Sequence, residues 1–179
     1  MNASALCQAA TQEDLPRLVD DAERRIEVVL SVATAEMNID AEARALFCLG
    51  QLRALQGKNV EALRAFRTVL TRAEEIRHNP RLIDTNIEIS KVFAIDLQFE
   101  KALEAMETAY EIADANRPTP KVATACEGIA AMYASLGRSR EAAHYRARTE
   151  REREVFGRDN AYAVRDLDAF WRGAATDAP

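Results

Sequence analysis

Two histidines, three cysteines and 29 acidic side chains are the groups in this chain able to move protons, attack carbonyls or hold metals. Neither His78 nor His144 has a Cys or His at ligand spacing, and a zinc site needs several such donors together. His78 lies beside a helix terminus and reads as a solvated or capping side chain. Cys7, Cys48 and Cys126 are isolated and odd in number, without a CxxC partner, which suits a reducing compartment. Each is expected to be a small buried hydrophobe, since a nucleophilic thiol wants an adjacent base and a lowered pKa. Phosphate-cradling GxGxxG and GxxxxGK loops and the GxSxG elbow are missing. The carboxylate pairs Asp20-Asp21 and Glu74-Glu75 are sequence neighbours, so on a helix they do not face each other. The run Glu150-Arg-Glu-Arg-Glu154 places opposite charges at i,i+3 and reads as a solvated helix end, with a docking surface as the alternative. The expectation is a protein that is not an enzyme, with no metal and no cofactor.

Composition narrows the classes further. The chain has 179 residues, 48% hydrophobic and 30% charged, enough for a real core and too polar for a membrane protein. A net charge of −5 argues against binding driven by nucleic-acid phosphates. No run of about 18 apolar residues is present, and the first ten residues lack a basic n-region, so neither membrane nor secretion is indicated and the expected location is cytoplasmic. Six glycines and five prolines suit long helices with short connections.

Written in rows of forty, the sequence aligns without a gap. Ala22, Ala62, Ala102 and Ala142 share a column, as do Ala54, Ala94 and Ala134. The rows from Ala41 and from Arg81 also share Leu63/Leu103, Ala65/Ala105, Thr68/Thr108, Ala73/Ala113, Arg77/Arg117 and Pro80/Pro120. Within each row two apolar stripes of helical spacing follow one another, Leu46, Leu49 and Leu52 and then Leu63, Phe66, Val69 and Leu70 in the second row. Asn79-Pro80 and Thr119-Pro120 each set a capping side chain before a proline, Asp40 and Asn160 read as plain caps, and Asn59 and Ser139 as caps of second helices. An earlier helix starts near Thr11–Asp14 and runs through Leu18, Ala22, Ile26, Val29 and Ala33 to about Glu36, with only the stub Ser4–Ala10 as a partner. A last helix after Asp159 carries Tyr162, Leu167, Phe170 and Trp171. The result is an all-α fold of three hairpins between flanking single helices, about eight helices without strands.

Leu46-x-x-Leu49-Gly50, followed by Ala62 and Phe66, resembles the tetratricopeptide repeat (TPR). In that pattern Gly50 and Ala62 allow two antiparallel helices to cross closely and Phe66 fills the gap to the next hairpin. Arg53 stands where an aromatic is usual, Ser90 replaces the glycine beside Phe93, Met106 replaces the phenylalanine, and the row from Lys121 has Arg146 at the packing position. The period of forty, with Tyr133-Ala-Ser-Leu-Gly137, Glu141-Ala142 and Arg151-Glu-Arg-Glu-Val-Phe-Gly157, is similar to the long, kinesin light-chain-like, bacterial form of the repeat. The resemblance implies a right-handed α-α superhelix over residues 11–173, with repeats at 41–78, 80–117 and 120–157, a capping helix at 160–173, a partly ordered stub at 1–10 and a flexible tail at 174–179. It implies a concave groove lined by the first helix of each hairpin: Arg44, Phe47, Gln51 and Leu55, then Asp84, Ile87, Lys91 and Ile95, then Glu127, Ala131 and Ser135. Phe47 and Gln51 stand where chaperone-binding relatives carry Lys and Asn, so a chaperone's acidic tail is not the expected ligand.

These readings converge on a module that binds a peptide or protein segment in its groove, in bacterial signalling or complex assembly. Two alternatives stay open. One is a regulatory domain of a larger signalling protein, such as a nucleotide cyclase or transcription regulator. The other is a self-assembling scaffold, homodimeric through Phe170, Trp171 and the N-terminal helix, where Phe170 and Trp171 could equally cap the end of the array.

Overall fold

The computed structural model describes residues 15–117 and 119–156, and all its regular structure among them is helical. Seven helices follow one another: α1 (Leu15–Ala35), α2 (Ile39–Leu55), α3 (Asn59–Glu75), α4 (Asn79–Ile95), α5 (Phe99–Ala115), α6 (Lys121–Ser135) and α7 (Ser139–Phe156). The expected helix after Asp159, with Phe170 and Trp171, and the stub 1–10 lie outside the described residues.

Helices α2 to α5 each span 17 residues. Three residues join each to the next, so one helix plus its turn repeats every twenty residues and a hairpin every forty. The turns show the same beat: Met37, Gly57, Arg77, Leu97 and Gly137 all have positive φ. In each, the left-handed residue lets two amides turn back onto the helix end. Gly57 N–H donates to Ala54 O at 3.0 Å and Lys58 N–H to Arg53 O at 2.9 Å. Leu97 and Gln98 repeat this onto Ala94 O and Phe93 O. Only two of the five positions are glycine, so the other three hold an L side chain in a conformation it disfavours. Leu97 is also exposed. Leu97→Gly is therefore expected to raise unfolding free energy by about 0.5–1 kcal/mol, relief of strain exceeding the entropy glycine adds to the unfolded chain. Urea denaturation of the two proteins measures the difference; a less stable variant would refute the strain.

Helix starts fall slightly earlier than the sequence suggested. Asn38, not Asp40, caps α2, its Oδ1 accepting from Ala41 N–H at 3.0 Å. His78, not Asn79, caps α4 through Nδ1, which accepts from Arg81 N–H at 3.0 Å. Asn79 instead donates to Asn116 Oδ1 across to the end of α5. Thr119 accepts from Lys121 N–H ahead of α6, as its place before Pro120 suggested. Asn59 and Ser139 are the first helical residues of α3 and α7.

The chain divides into two compact units, residues 1–68 and 69–179, and α3 carries residues of both. In the first unit α1 packs along α2, and α2 meets α3 where Gly50 faces Phe66; Ala43, Ala45, Gly50, Ala62 and Phe66 are all buried. A Cβ on Gly50 would lie 2.5 Å from Phe66 Cε1. Phe66 thus fills the space Gly50 leaves inside its own hairpin. Arg53, standing in the aromatic position, ties three helices by pairing with Glu23 of α1 and with Glu61 of α3 at 3.1 Å. The hydrogen bond from Arg53 holds the Glu23 carboxyl below its ordinary range. That contribution is present at neutral pH and is lost as pH falls through the lowered value.

In the second unit α4 pairs with α5, α5 with α6, and α6 with α7. The core runs through Ile83, Ile87, Leu103, Met106, Cys126, Ile129 and Met132. Helix α6 is covered on nearly all sides. Ser90, the glycine replacement, is fully buried and donates to Ala102 O at 2.7 Å, so a hydroxyl bridges the close crossing of α4 and α5.

Candidate functional site

The residues expected to line a groove do not share one face. On α4, Asp84, Lys91 and Ile95 reach solvent, Ile95 at 50% exposure. Ile87 does not: it is 4% exposed and belongs to the core. A residue on a helix is turned about 100° from its neighbour, so the open position there is Glu88. Asp84, Glu88, Lys91 and Ile95, spaced i, i+4, i+7 and i+11, form one stripe along α4, its three charged residues partly buried and Ile95 exposed. On α2 the same columns are Arg44, Cys48, Gln51 and Leu55, with Leu55 86% exposed. Phe47, like Ile87, turns inward; it is half-buried against Phe66, ring centroids 5.9 Å apart. Cys48 is accordingly exposed, contrary to the buried place expected of it. On α6, Glu127 and Ala131 are half-buried and Ser135 is exposed.

Glu88 and Cys48 were missed because the resemblance set the lining one residue earlier, at Ile87 and Phe47, about 100° away around the helix. The available signal was charge spacing, with Asp84, Glu88 and Lys91 falling at i, i+4 and i+7 on one side of the helix.

The charges along the stripe of α4 are balanced locally. Lys91 Nζ lies 2.8 Å from Glu88 Oε1, and Lys121 Nζ of α6 lies 2.6 Å from Asp84 Oδ1. Glu127 receives Arg153 of α7 at 3.0 Å. The surface therefore offers paired charges, ending in an exposed aliphatic residue. Among the described residues no group of three His, Cys, Asp or Glu is placed to hold a metal ion, and no helix is long and apolar enough to cross a membrane. His144 is exposed and stands edge-on to Tyr145.

Three tyrosines with displaced protonation lie together in the second unit. Tyr110, Tyr133 and Tyr145 cluster, with Arg148 stacked over Tyr110 and Arg138 over Tyr133. Burial raises all three phenols above their ordinary range. The acidic and basic run at the end of α7 is not simply a solvated helix end. Glu152 is buried and accepts both terminal nitrogens of Arg117 at 2.7 and 2.9 Å, while only Glu150–Arg153 matches the expected i,i+3 pairing. This fork-on-fork pairing fixes α7 against the end of α5.

Burial pushes the Cys126 thiol up to about 11. The folded chain holds that proton more tightly than the unfolded one, so the contribution is full below about pH 9 and fades as pH rises through 11. A Cys7→Ser variant at pH 8 should give one thiol reacting at once with Ellman's reagent, Cys48, and a second, Cys126, reacting only as fast as the second unit opens. Two fast thiols would contradict the burial.

No family model matches the sequence, and no curated protein matches it. Solved structures do. BtubC (BKLC) from P. vanneervenii superposes with a TM-score of 0.68 at 23% identity, covering 82% of this chain and 59% of that one. A putative kinesin light chain from Podosopora anserina with nearly identical TPR-like repeats superposes with a TM-score of 0.56 at 15% identity, covering 93% and 95%. The chain thus spans little more than half the length of BtubC. The all-α fold of TPR-like repeats expected from Leu46, Leu49, Gly50, Ala62 and Phe66 is the fold of this chain.

Proposed function

We propose that this chain is a non-catalytic protein-interaction module, whose first helices each hold a segment of a partner polypeptide along their open stripe. The contact residues are Arg44, Cys48, Gln51 and Leu55 on α2, and Asp84, Glu88, Lys91 and Ile95 on α4, with Glu127 beside the latter. The observation carrying the reading is that the same four columns, forty residues apart, reach solvent in both helices and end in an exposed aliphatic residue, Leu55 or Ile95, while Ile87 is in the core. Paired charges ending in an exposed aliphatic suit an amphipathic segment of mixed charge better than a polyanion. The exposed thiol of Cys48 suits a reducing, cytoplasmic setting.

The test compares capture by the wild type, by Glu88→Arg/Ile95→Arg and by a control on the exposed side of α5, Glu104→Arg/Glu111→Arg. All three are first shown to melt alike by circular dichroism. A protein bound by the wild type and the control but lost by the stripe variant supports the assignment. Equal capture by all three removes the stripe as the site.

A further inference from the structure

Helix α1 is a second-type helix by register: Ala22, Ile26 and Val29 fall in the columns of Ala62, Phe66 and Val69 and of Ala102, Met106 and Ala109. In α3 and α5 those six residues are fully buried. Part of that burial comes from the preceding, antiparallel first helix, as Phe66 against Gly50 and Ala102 bonded to Ser90 show. On α1 the same side is open: Leu18 is 50% exposed, Val29 49% and Val32 49%, and Ala22 is only half-buried. Leu18, Ala22, Arg25, Val29 and Val32 follow one another at steps of four, three, four and three residues. That is the spacing of a coiled-coil seam, in which side chains of one helix lock between those of another. Four of the five positions are apolar. The middle one is a cation, Arg25, whose Nε lies 2.8 Å from Asp21 Oδ2.

We infer that this seam is the interface with a second copy of the chain, α1 pairing antiparallel with the α1 of its partner about a two-fold axis. The charge at the centre of the seam selects both occupant and direction. Set parallel and in register, the seam faces Arg25 with the partner's Arg25, and like charges repel. Set antiparallel with Ala22 against the partner's Arg25, it also faces Leu18 with the partner's Val29, because Leu18 stands four residues before Ala22 and Val29 four after Arg25. The two-fold axis makes each of these contacts twice. Alanine at 22 leaves room for the apolar stem of the arginine, and Asp21 beside it meets the guanidinium. Every charge in the contact therefore keeps an opposite partner. One polar residue in an otherwise apolar seam fixes register at some cost in affinity. Helix α1 is already held along α2, with Glu23 paired to Arg53, so docking orders no new helix. The antiparallel copy gives the open side of α1 the kind of neighbour that α4 gives α5.

Sedimentation equilibrium over a range of concentrations tests this on the full chain. The wild type is compared with Val29→Asp, Arg25→Asp and the charge swap Asp21→Arg/Arg25→Asp, each first shown by circular dichroism to keep its helicity, with Val29→Ser as a milder substitute. The wild type is expected to pass from one chain to two as concentration rises, and no further. Val29→Asp is expected to stay a single chain. Arg25→Asp sets two acids together at both ends of the contact and is expected to weaken the dimer at least about tenfold. The swap returns opposite charges to each pair and is expected to restore the affinity to within a few-fold. A wild type that remains one chain throughout overturns the inference. So does a dimer that Val29→Asp and Val29→Ser leave intact, which places the contact elsewhere. A swap no better than Arg25→Asp overturns the antiparallel register. None of these residues belongs to the stripes on α2 and α4, so loss of the dimer and loss of partner capture are read separately.

Discussion

Ile87→Glu unfolds the second unit. Ile87 packs among Ile83, Met106, Cys126 and Ile129 with 4% of its surface exposed, and none of these neighbours can pair with a carboxylate. The substitution removes a buried aliphatic worth about 2–5 kcal/mol and sets an unpartnered acid in its place, so the loss is expected to exceed about 4 kcal/mol. Such a loss is most of the stability of a small domain. The readout is a collapse of helicity in residues 69–179, or a urea midpoint near zero. Ile87→Val, which keeps the shape, should cost only about 0.5–1.5 kcal/mol. A folded Ile87→Glu protein would place residue 87 on the surface, as the family resemblance alone suggested. One consequence is practical: a change at residue 87 that abolishes binding says nothing about a binding surface.

A side chain added at Gly50 separates two glycines that look alike in the sequence. Alanine in a helix is better than glycine by about 1 kcal/mol, so any net loss measures the clash. At Gly50 the new Cβ meets three ring atoms of Phe66 within 2.9 Å, and that ring is fully buried and rigid. At Gly128 it meets Met106 Cε at 2.4 Å, the free end of a flexible chain that can swing aside. Gly50→Ala is expected to destabilise by about 1–2 kcal/mol and Gly50→Leu by about 3 kcal/mol or more, overpacking outweighing propensity. Gly128→Ala should fall within about 1 kcal/mol of the wild type. Chemical denaturation of the three variants decides it; equal costs at both glycines would show that Phe66 yields as easily as Met106.

Much of the fold was legible because it is built from local preferences. Alternating apolar stripes marked α2 to α7, Gly57 and Gly137 marked two turns, and the forty-residue columns marked the hairpins. The turns at Met37, Arg77 and Leu97 have the same left-handed geometry as Gly57, with no glycine to announce it. There the docked helices on either side hold the backbone in a conformation the side chain does not choose. The pairing of Glu152 with Arg117 joins residues 35 positions apart, which no local pattern could show.

The site divides the same way. Residue types along α4 established that this is a helix with charges at Asp84, Glu88 and Lys91 in an apolar setting. Which side faces water was decided only by what packs around it. On α4 polar residues such as Thr85, Asn86 and Ser90 are buried, so polarity alone does not separate core from surface, and about 100° of rotation separates Ile87 from Glu88. Helical propensity, period and turn spacing are summed residue by residue along the chain, so the sequence alone determined them. Facing is a property of which neighbours cover each side, and only the tertiary structure decided that Ile87 and Phe47 go in while Glu88 and Cys48 stay out.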